Sequence, residues 1–246
     1  MGTIIVVTSG KGGTGKTSLT GGVASCLAAL GQRTLCIDMD IGLRNLDISL
    51  GMTDRALMDF TDVLDGRCTL SRAAVEHPII HNLFLLTAPV TPPPYPLSED
   101  RVRTLLDKAG ESFDYVLVDS PAGLGSGFRL AACGADRAIV VSTNDSSALR
   151  DAQRTVTELG QRMETIHLVM NRIQPRLLRR LRTTIDDAMD AAGLPLLGVI
   201  PEDEQVMLAA NTSKPLILVS RKGAALAYLN IARRLMGERV PLMRIR

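Results

Sequence analysis

The sequence predicts a three-layer α/β/α fold, in which a mostly parallel, twisted β-sheet carries helices on both faces. Short runs of β-branched and aliphatic residues alternate with longer stretches of helical period along the 246 residues. Most of the short runs are continuously apolar, as strands covered by helices on both faces are. No change of composition marks a linker, so residues 1–246 are expected to form one domain with a short tail at 238–246.

Each element follows from these patterns in chain order. The strands are predicted at residues 4–8, 34–38, 83–87, 115–119, 138–142, 166–170 and 196–200. The helices are predicted at residues 16–30, 99–109, 146–159, 176–191 and 223–236. Between the third strand and the second helix, residues 89–96 include five prolines, which exclude a helix and a central strand. We therefore predict a stiff loop there, and a proline-rich recognition ligand is the alternative.

Composition excludes several classes of function. Apolar residues make up 46% of the chain, but aromatic residues make up only 3%, which argues against base stacking as the main mode of nucleic-acid binding. A net charge of +2 predicts no strong global attraction to polyanions. The 4 cysteines form no C-x-x-C pair and are expected to be reduced thiols. Because no apolar run approaches the roughly 18 residues of a membrane span, a cytoplasmic protein is expected.

A glycine-rich loop between the first strand and the first helix carries the strongest functional signal. Residues 10–17 read GKGGTGKT and satisfy G-x-x-x-x-G-K-[ST], a loop whose N–H groups surround phosphate at a helix N-terminus. Lys16 is predicted to neutralise the β- and γ-phosphates, and Thr17 to place its hydroxyl on Mg²⁺. The predicted phosphate-binding residues are Gly10, Gly12, Gly13, Thr14, Gly15, Lys16, Thr17 and Ser18.

A dinucleotide-binding turn is the alternative interpretation of the same loop. Its glycines also satisfy G-x-G-x-x-G, and Asp38 ends the second strand where such a fold places its ribose-binding acid. That interpretation gives no role to Lys16, Thr17 or the second acid, Asp40. The sequence therefore favours the phosphate loop of a P-loop NTPase, with Mg²⁺ as cofactor, over a dinucleotide-binding turn.

Acidic residues follow two further strands at the edge of the sheet where ligands bind. Asp38 and Asp40 follow the second strand, and Asp119 ends the fourth. A carboxylate at such a place can hold a magnesium-bound water or orient the attacking water, although simple strand-end capping is the alternative. Asp119 is predicted to act on Mg²⁺ through water or Thr17, and Gly123 to give a γ-phosphate-sensing loop its hinge.

Two polar residues near the end of the sixth strand are candidates for binding the base. Asn171 can pair with the N6/N7 edge of adenine, and Arg172 can stack on the ring. The guanine-reading pattern N-K-x-D does not occur in the sequence, which favours ATP over GTP.

With a second lysine, Lys11, at the start of the loop, the chain resembles the MinD/ParA family of deviant Walker A ATPases. The resemblance runs from Thr3 to about Pro241. It implies a homodimer that forms with ATP and separates with ADP, in which Lys11 reaches the phosphates of the partner protomer. It further implies slow hydrolysis of ATP in the absence of an activating partner.

The resemblance also implies roles for individual residues. Asp40 would orient the attacking water, whereas Asp38 would lie in the magnesium shell. Residues 171–172 and 201–203 would hold adenine, with Pro201 and Asp203 in the second stretch. At residues 143–145 the chain reads Thr-Asn-Asp where the family usually has Thr-Pro-Glu, and the effect of that difference is left open.

Partners and location also follow from the resemblance. It implies a MinC-like effector, an activating regulator, a role in placing the division septum, and transient contact with the inner face of the cell membrane. Because Pro241 interrupts any helix in the tail, we expect poor membrane binding. A ParA-like or flagellar-placement ATPase is the alternative, and the basic cluster at 176–182 would then bind DNA non-specifically. For that cluster we prefer an amphipathic helix with leucines inward.

Overall fold

The computed structural model describes residues 1–243 and contains an eight-stranded sheet in the order β3-β4-β2-β5-β1-β6-β7-β8. Neighbouring strands are parallel, except for the antiparallel pair β3 and β4 at one edge. In chain order the strands are β1 (Thr3–Thr8), β2 (Thr34–Asp38), β3 (Val75–Glu76), β4 (Leu83–Leu86), β5 (Tyr115–Asp119), β6 (Arg137–Ser142), β7 (Thr165–Ile173) and β8 (Leu196–Pro201).

Helices lie on both faces of this sheet. The first six are α1 (Lys16–Ala29), α2 (Leu46–Ser49), α3 (Phe60–Leu64), α4 (Leu70–Ala73), α5 (Glu99–Ser112) and α6 (Ser126–Ala132). The next six are α7 (Ser146–Leu159), α8 (Pro175–Leu181), α9 (Ile185–Ala192), α10 (Glu204–Asn211), α11 (Leu216–Val219) and α12 (Gly223–Leu235).

The core consists of two aliphatic clusters, one on each face of the sheet. Along β1, Ile4 and Val6 belong to one cluster, whereas Ile5 and Val7 belong to the other. This division follows from the alternation of side chains across a strand. Both faces of the central strand are therefore buried, and the predicted three-layer α/β/α fold is confirmed.

Close packing of α12 on α1 fixes the helix that follows the glycine-rich loop. The ring of Tyr228 on α12 is 1% exposed, and a Cβ added at Gly22 would lie 2.3 Å from it. Only glycine leaves room for the aromatic ring here, because a Cβ that close would overlap it. The loop is thus attached to a rigidly packed helix.

All seven predicted strands and four of the five predicted helices are confirmed, with bounds that differ by up to three residues. The continuous helix predicted at 176–191 is wrong, because the chain forms α8 and α9 there. Arg182 ends α8 in the left-handed region with φ 54°, and Thr184 starts α9 with a capping box. The predicted loop at 89–96 contains no helix or strand.

The chain after α12 passes the outer edge of β8, where Arg234 binds it. The Arg234 guanidinium donates to the carbonyl oxygens of Leu197 (2.8 Å), Val240 (3.0 Å) and Pro241 (2.7 Å). Residues 244–246 of the predicted tail lie outside the described residues. Within residues 1–243, no helix is both long and apolar enough to cross a membrane.

Candidate functional site

The glycine-rich loop lies at the carboxyl-terminal edge of the sheet, between β1 and α1. Gly13 and Gly15 have φ values of 79° and 85°, a region that residues with a side chain rarely adopt. Gly15 precedes α1, which has no side-chain N-cap bond and no acidic residue in its first turn. The first N–H groups of α1 therefore point, with the positive end of the helix dipole, to a place suited to an anion.

Lys16, Thr17 and Asp119 form a polar cluster under this loop, in which Lys16 and Asp119 are buried and Thr17 is half-buried. Lys16 Nζ lies 3.5 Å from an Asp119 carboxylate oxygen, and Thr17 Oγ1 donates to the other oxygen at 2.7 Å. Thr20 donates a third bond to the carboxylate at 3.0 Å. Burial raises the pKa of Asp119, and the lysine and the two hydroxyl groups oppose that rise. The structure thus brings together a cation, a hydroxyl and a carboxylate that the sequence predicted separately.

Asp38 lies beside Asp119 on the neighbouring strand β2 and is also buried. Its two oxygens accept hydrogen bonds from the N–H groups of Asp40 (2.9 Å) and Leu46 (3.1 Å). Burial and the nearby charge of Asp119 raise the pKa of Asp38 to about 7. A divalent cation would relieve the repulsion between two such carboxylates.

These oxygen donors fit the predicted Mg²⁺ site. Within residues 1–243, no three histidine, cysteine, aspartate or glutamate side chains converge into a complete metal cage. Magnesium does not need one, because it is usually held by one or two carboxylates together with phosphates and water. Thr17, Asp38 and Asp119 are the residues that would supply the protein's share.

Asp40 is half-buried in the loop that follows β2. Its carbonyl oxygen accepts from the N–H groups of Leu43 (3.3 Å) and Arg44 (3.2 Å), which closes a tight turn. The N–H of Gly42 donates to the carbonyl of Pro89 at 3.1 Å. The base of the proline-rich loop thus fixes the turn that carries Asp40.

Lys11 does not point into the buried cluster. Its Nζ lies 2.7 Å from both a carboxylate oxygen of Asp145 and the hydroxyl of Ser147, at the start of α7. The hydrogen bond from Lys11 is the main reason why the pKa of Asp145 falls to about 2. The sequence did not predict this pair. The feature of the sequence nearest to it was Thr-Asn-Asp at 143–145, which differs from the usual Thr-Pro-Glu of the family.

Gly123 lies in the loop after β5, next to the glycine-rich loop. Its φ is 85°, a conformation that only glycine adopts easily, as expected for the predicted hinge. Its N–H, which was expected to be free, donates to the carbonyl of Ser9 at 3.2 Å, so that expectation is wrong. The two loops are therefore joined directly.

The predicted base-binding residues Asn171 and Arg172 contact the loop itself. Asn171 is 4% exposed, and its Nδ2 donates to the carbonyl of Thr14 at 2.8 Å. Arg172 donates from Nη1 to the carbonyl of Gly13 at 3.3 Å and forms an ion pair with Glu202 at 2.9 Å. Sequence reasoning missed Glu202 as a partner, and no pattern in the sequence indicates it.

Pro201 and Asp203 lie at the end of β8, at the same edge of the sheet. One oxygen of Asp203 accepts from the N–H of Gln205 at 3.0 Å, and the other accepts from the N–H of Ala224 at 2.9 Å. Asp203 therefore caps α10 and α12 together. Both of its oxygens already have backbone partners, so its part in holding adenine stays a prediction.

Comparison with known proteins identifies related chains. Residues 5–216 match the family model described as the CobQ/CobB/MinD/ParA nucleotide binding domain. The septum site-determining protein MinD of Bacillus subtilis is 40% identical over an alignment 246 residues long, gaps included, which covers 98% of this chain and 92% of the relative.

Two solved structures show the same architecture. The MinC:MinD cell division protein complex of Aquifex aeolicus contains a chain that matches with a TM-score of 0.90 and 36% identity, covering 98% of both chains. MinD of Pyrococcus horikoshii, complexed with Mg-ADP, matches with a TM-score of 0.85 and 26% identity, covering 96% of both chains.

Proposed function

The chain belongs to the CobQ/CobB/MinD/ParA nucleotide-binding family, and we propose that it is an ATP-dependent dimerisation switch that helps to place the division septum. It hydrolyses ATP to ADP and phosphate with Mg²⁺ as cofactor. The observation that carries the proposal is the polar cluster of Lys16, Thr17 and Asp119 directly beneath the glycine-rich loop. This cluster combines phosphate neutralisation and metal binding at one helix N-terminus.

In the proposed mechanism, N–H groups of the loop and the ammonium of Lys16 bind the β- and γ-phosphates. Thr17, Asp38 and Asp119 would hold Mg²⁺, which would neutralise charge that develops on the phosphate oxygens. Asp40 orients the attacking water. Because the site is preformed and largely buried, its charges need little reorganisation during the reaction.

In this proposal, Lys11 couples the binding of ATP to the formation of the dimer. Its side chain is 44% exposed and is bound to Asp145, itself 52% exposed, at the edge where the nucleotide loops lie. We propose that in the ATP-bound dimer Lys11 leaves Asp145 for the phosphates of the partner protomer. ATP shifts the equilibrium toward the dimer only if its γ-phosphate gains such contacts there and not in the monomer.

The partners of the chain are proposed from its relatives. Since the Aquifex aeolicus relative forms a MinC:MinD complex, we propose a MinC-like effector for this chain. A separate activating regulator would accelerate hydrolysis. We further propose a cytoplasmic location with transient contact at the inner face of the cell membrane.

The alternative, a ParA-like ATPase that binds DNA, is favoured by one observation. Arg176, Arg179 and Arg180 on α8 are exposed, and no residue of that helix is buried. Such a patch would bind DNA non-specifically, with an affinity that falls steeply as salt increases. A salt-dependent shift of a DNA duplex in the presence of ATP would favour this alternative.

Two lysine substitutions test the main proposal by calorimetry with Mg-ATP and by phosphate release. Lys16→Ala is expected to abolish both ATP binding and hydrolysis, because a buried phosphate partner is removed. Lys11→Ala is expected to retain ATP binding but lose hydrolysis, because the exposed lysine acts only across the dimer. Equal ATP affinity in wild type and Lys16→Ala would contradict the assignment of the phosphate loop.

A further inference from the structure

The carboxylate of Asp40 is not held by any side-chain contact of its own. Within residues 1–243, all the hydrogen bonds of Asp40 come from its backbone, because its N–H donates to Asp38 and its carbonyl accepts from the N–H groups of Leu43 and Arg44. The carboxylates of Asp38 and Asp119, in contrast, each accept two hydrogen bonds or more. The place of the Asp40 carboxylate therefore depends on the backbone of its turn.

Arg44, whose N–H closes this turn, has an unusual backbone conformation. The N–H donates to the carbonyl of Asp40 at 3.2 Å, and φ of Arg44 is 47°. The left-handed region is uncommon for a residue with a long side chain, and such a conformation persists where surrounding contacts hold it. The contacts that hold Arg44 therefore also hold the turn.

The guanidinium of Arg44 makes two contacts with other segments of the chain. Its Nη2 donates to the carbonyl of Ala56 at 3.1 Å, and its Nε lies 3.2 Å from a carboxylate oxygen of Asp47. The side chains of Arg44 and Asp47 are only 20% and 7% exposed, so solvent and salt screen this ion pair less than one at the surface. One planar group thus joins the turn to two places at once.

Both of these places are fixed by the core. Asp47 lies in α2, directly after Leu46, which is fully buried. Ala56 is buried and leads to Phe60, which is fully buried and donates its N–H to the carbonyl of Thr87 at 3.0 Å, immediately after β4. The arginine therefore connects a turn with an exposed tip to parts of the chain that are packed against the sheet.

We infer that Arg44 is a positioning residue for the hydrolysis of ATP, whose guanidinium fixes the turn and thereby the place of the Asp40 carboxylate. This inference rests on the proposed function, in which Asp40 orients the attacking water. The bond from Gly42 to Pro89 holds the middle of the turn, and Arg44 holds its end. Orientation of a reacting group is sensitive to displacements of about 1 Å, so a loosened turn slows the reaction without weakening the binding of ATP.

Two other roles for Arg44 predict different patterns of loss. A charge that acts directly on the phosphates would be replaced in large part by lysine, and its removal would weaken ATP binding. A contact with the partner protomer would be needed for the ATP-dependent dimer. A positioning role predicts normal ATP affinity and a normal dimer with slow hydrolysis, and lysine cannot replace the planar group that reaches Ala56 and Asp47 together.

The experiment measures ATP affinity by isothermal titration calorimetry, phosphate release in a single turnover, and mass by light scattering, all with Mg-ATP. We expect Arg44→Ala to reduce the rate of phosphate release by about 10- to 100-fold and to leave ATP affinity and the dimer unchanged. Arg44→Lys is expected to stay well below the wild-type rate. Arg55→Ala is the matched control, since Arg55 is exposed and forms no ion pair within residues 1–243.

Arg44→Gly separates the side chain from the backbone strain. Glycine adopts φ 47° without cost, so a slow rate in this variant shows that the guanidinium holds the turn. Each variant is checked by thermal unfolding without nucleotide, and Arg44→Gly and Arg44→Lys provide the test if Arg44→Ala does not fold.

The outcomes that would overturn the inference are distinct from those that bear on the proposed function. A wild-type rate in Arg44→Ala, recovery of the rate in Arg44→Lys, or loss of the dimer would each show that Arg44 does not act by positioning Asp40. A wild-type rate in Asp40→Ala would instead count against the proposed function itself, and the inference would fall with it.

Discussion

The imidazole of His77 connects separate segments of the chain by hydrogen bonds near the edge of the sheet. It is 2% exposed, and its Nδ1 accepts from the N–H groups of Ile79 (3.1 Å) and Ile80 (2.9 Å). Since Nδ1 is an acceptor, Nε2 carries the proton and donates to the carbonyl of Leu50 at 3.0 Å. Only the neutral ring can make all three bonds, and burial lowers the pKa of His77.

This residue predicts a pH dependence of stability. In the unfolded chain His77 takes up a proton near pH 6.5, whereas the folded chain resists it to lower pH. The contribution of His77 to stability is therefore present above about pH 6.5 and is lost as the pH falls below it. We expect His77→Asn, which keeps an acceptor but does not titrate, to reduce the difference in unfolding free energy between about pH 5.5 and 7.5.

Urea denaturation at the two pH values measures this difference. His81→Asn is the matched control, because the His81 side chain is 87% exposed and should leave the difference unchanged. An identical pH dependence in wild type and His77→Asn would show that the buried imidazole does not cause it.

Alanine substitutions at Gly13 and Gly15 distinguish the cost of backbone strain from the cost of steric overlap. Both have positive φ, so alanine at either position should cost about 1–2 kcal/mol of stability. At Gly13 the added Cβ meets nothing within 4 Å, but at Gly15 it overlaps the amide of Asn171. We expect Gly15→Ala to unfold at a clearly lower temperature than Gly13→Ala in the absence of nucleotide. Equal melting temperatures would contradict the close approach of Asn171.

At the scale of elements, the break between α8 and α9 depends on a capping box. Thr184 Oγ1 accepts from the N–H of Asp187 at 3.1 Å, and Asp187 accepts from the N–H of Thr184 at 2.7 Å. We expect Thr184→Ala to lower the unfolding free energy by about 1 kcal/mol, measured in urea. Thr183→Ala, one residue earlier and also exposed, should change it little. A similar loss in both variants would argue against the cap.

Long helices and buried parallel strands could be predicted from the sequence, whereas short helices could not. The buried parallel strands are continuous apolar runs, so their bounds are visible in the sequence. Helices α2, α3, α4, α6, α10 and α11 have eight residues or fewer, too few for a helical period to stand out. The break between α8 and α9 at 182–184 was missed, although the sequence carries a signal for it. The spacing of Thr184 and Asp187 is that of a capping box.

The same contrast holds for the candidate site. The glycine-rich loop could be predicted because its residues are contiguous and each has a chemical reason to be there. The bond from Asn171 to Thr14 joins residues 157 positions apart, so it depends on how β7 approaches the loop. The pair of Lys11 and Asp145 depends likewise on the packing of α7. Contacts of this kind follow from the fold and not from local pattern.

At the scale of the whole molecule, the proposed switch predicts a change of mass. Asp40→Ala should bind ATP but hydrolyse it slowly, so the intact γ-phosphate should hold two protomers together. Size-exclusion chromatography with light scattering should then give twice the 26.4 kDa of one chain with ATP, and a single chain with ADP. A single chain with both nucleotides would contradict the dimerisation switch.

The two outer strands limit how copies of the molecule can meet. One edge ends in β3, which has two residues, and at the other edge Arg234 occupies the Leu197 carbonyl of β8. Short or covered edge strands oppose edge-to-edge pairing with the sheets of neighbouring molecules. Neither edge therefore presents a long strand with all of its backbone groups free for lateral growth into fibres. The proposed dimer would instead form through the surface of the nucleotide loops, where a twofold contact would close on itself and assembly would stop at a pair.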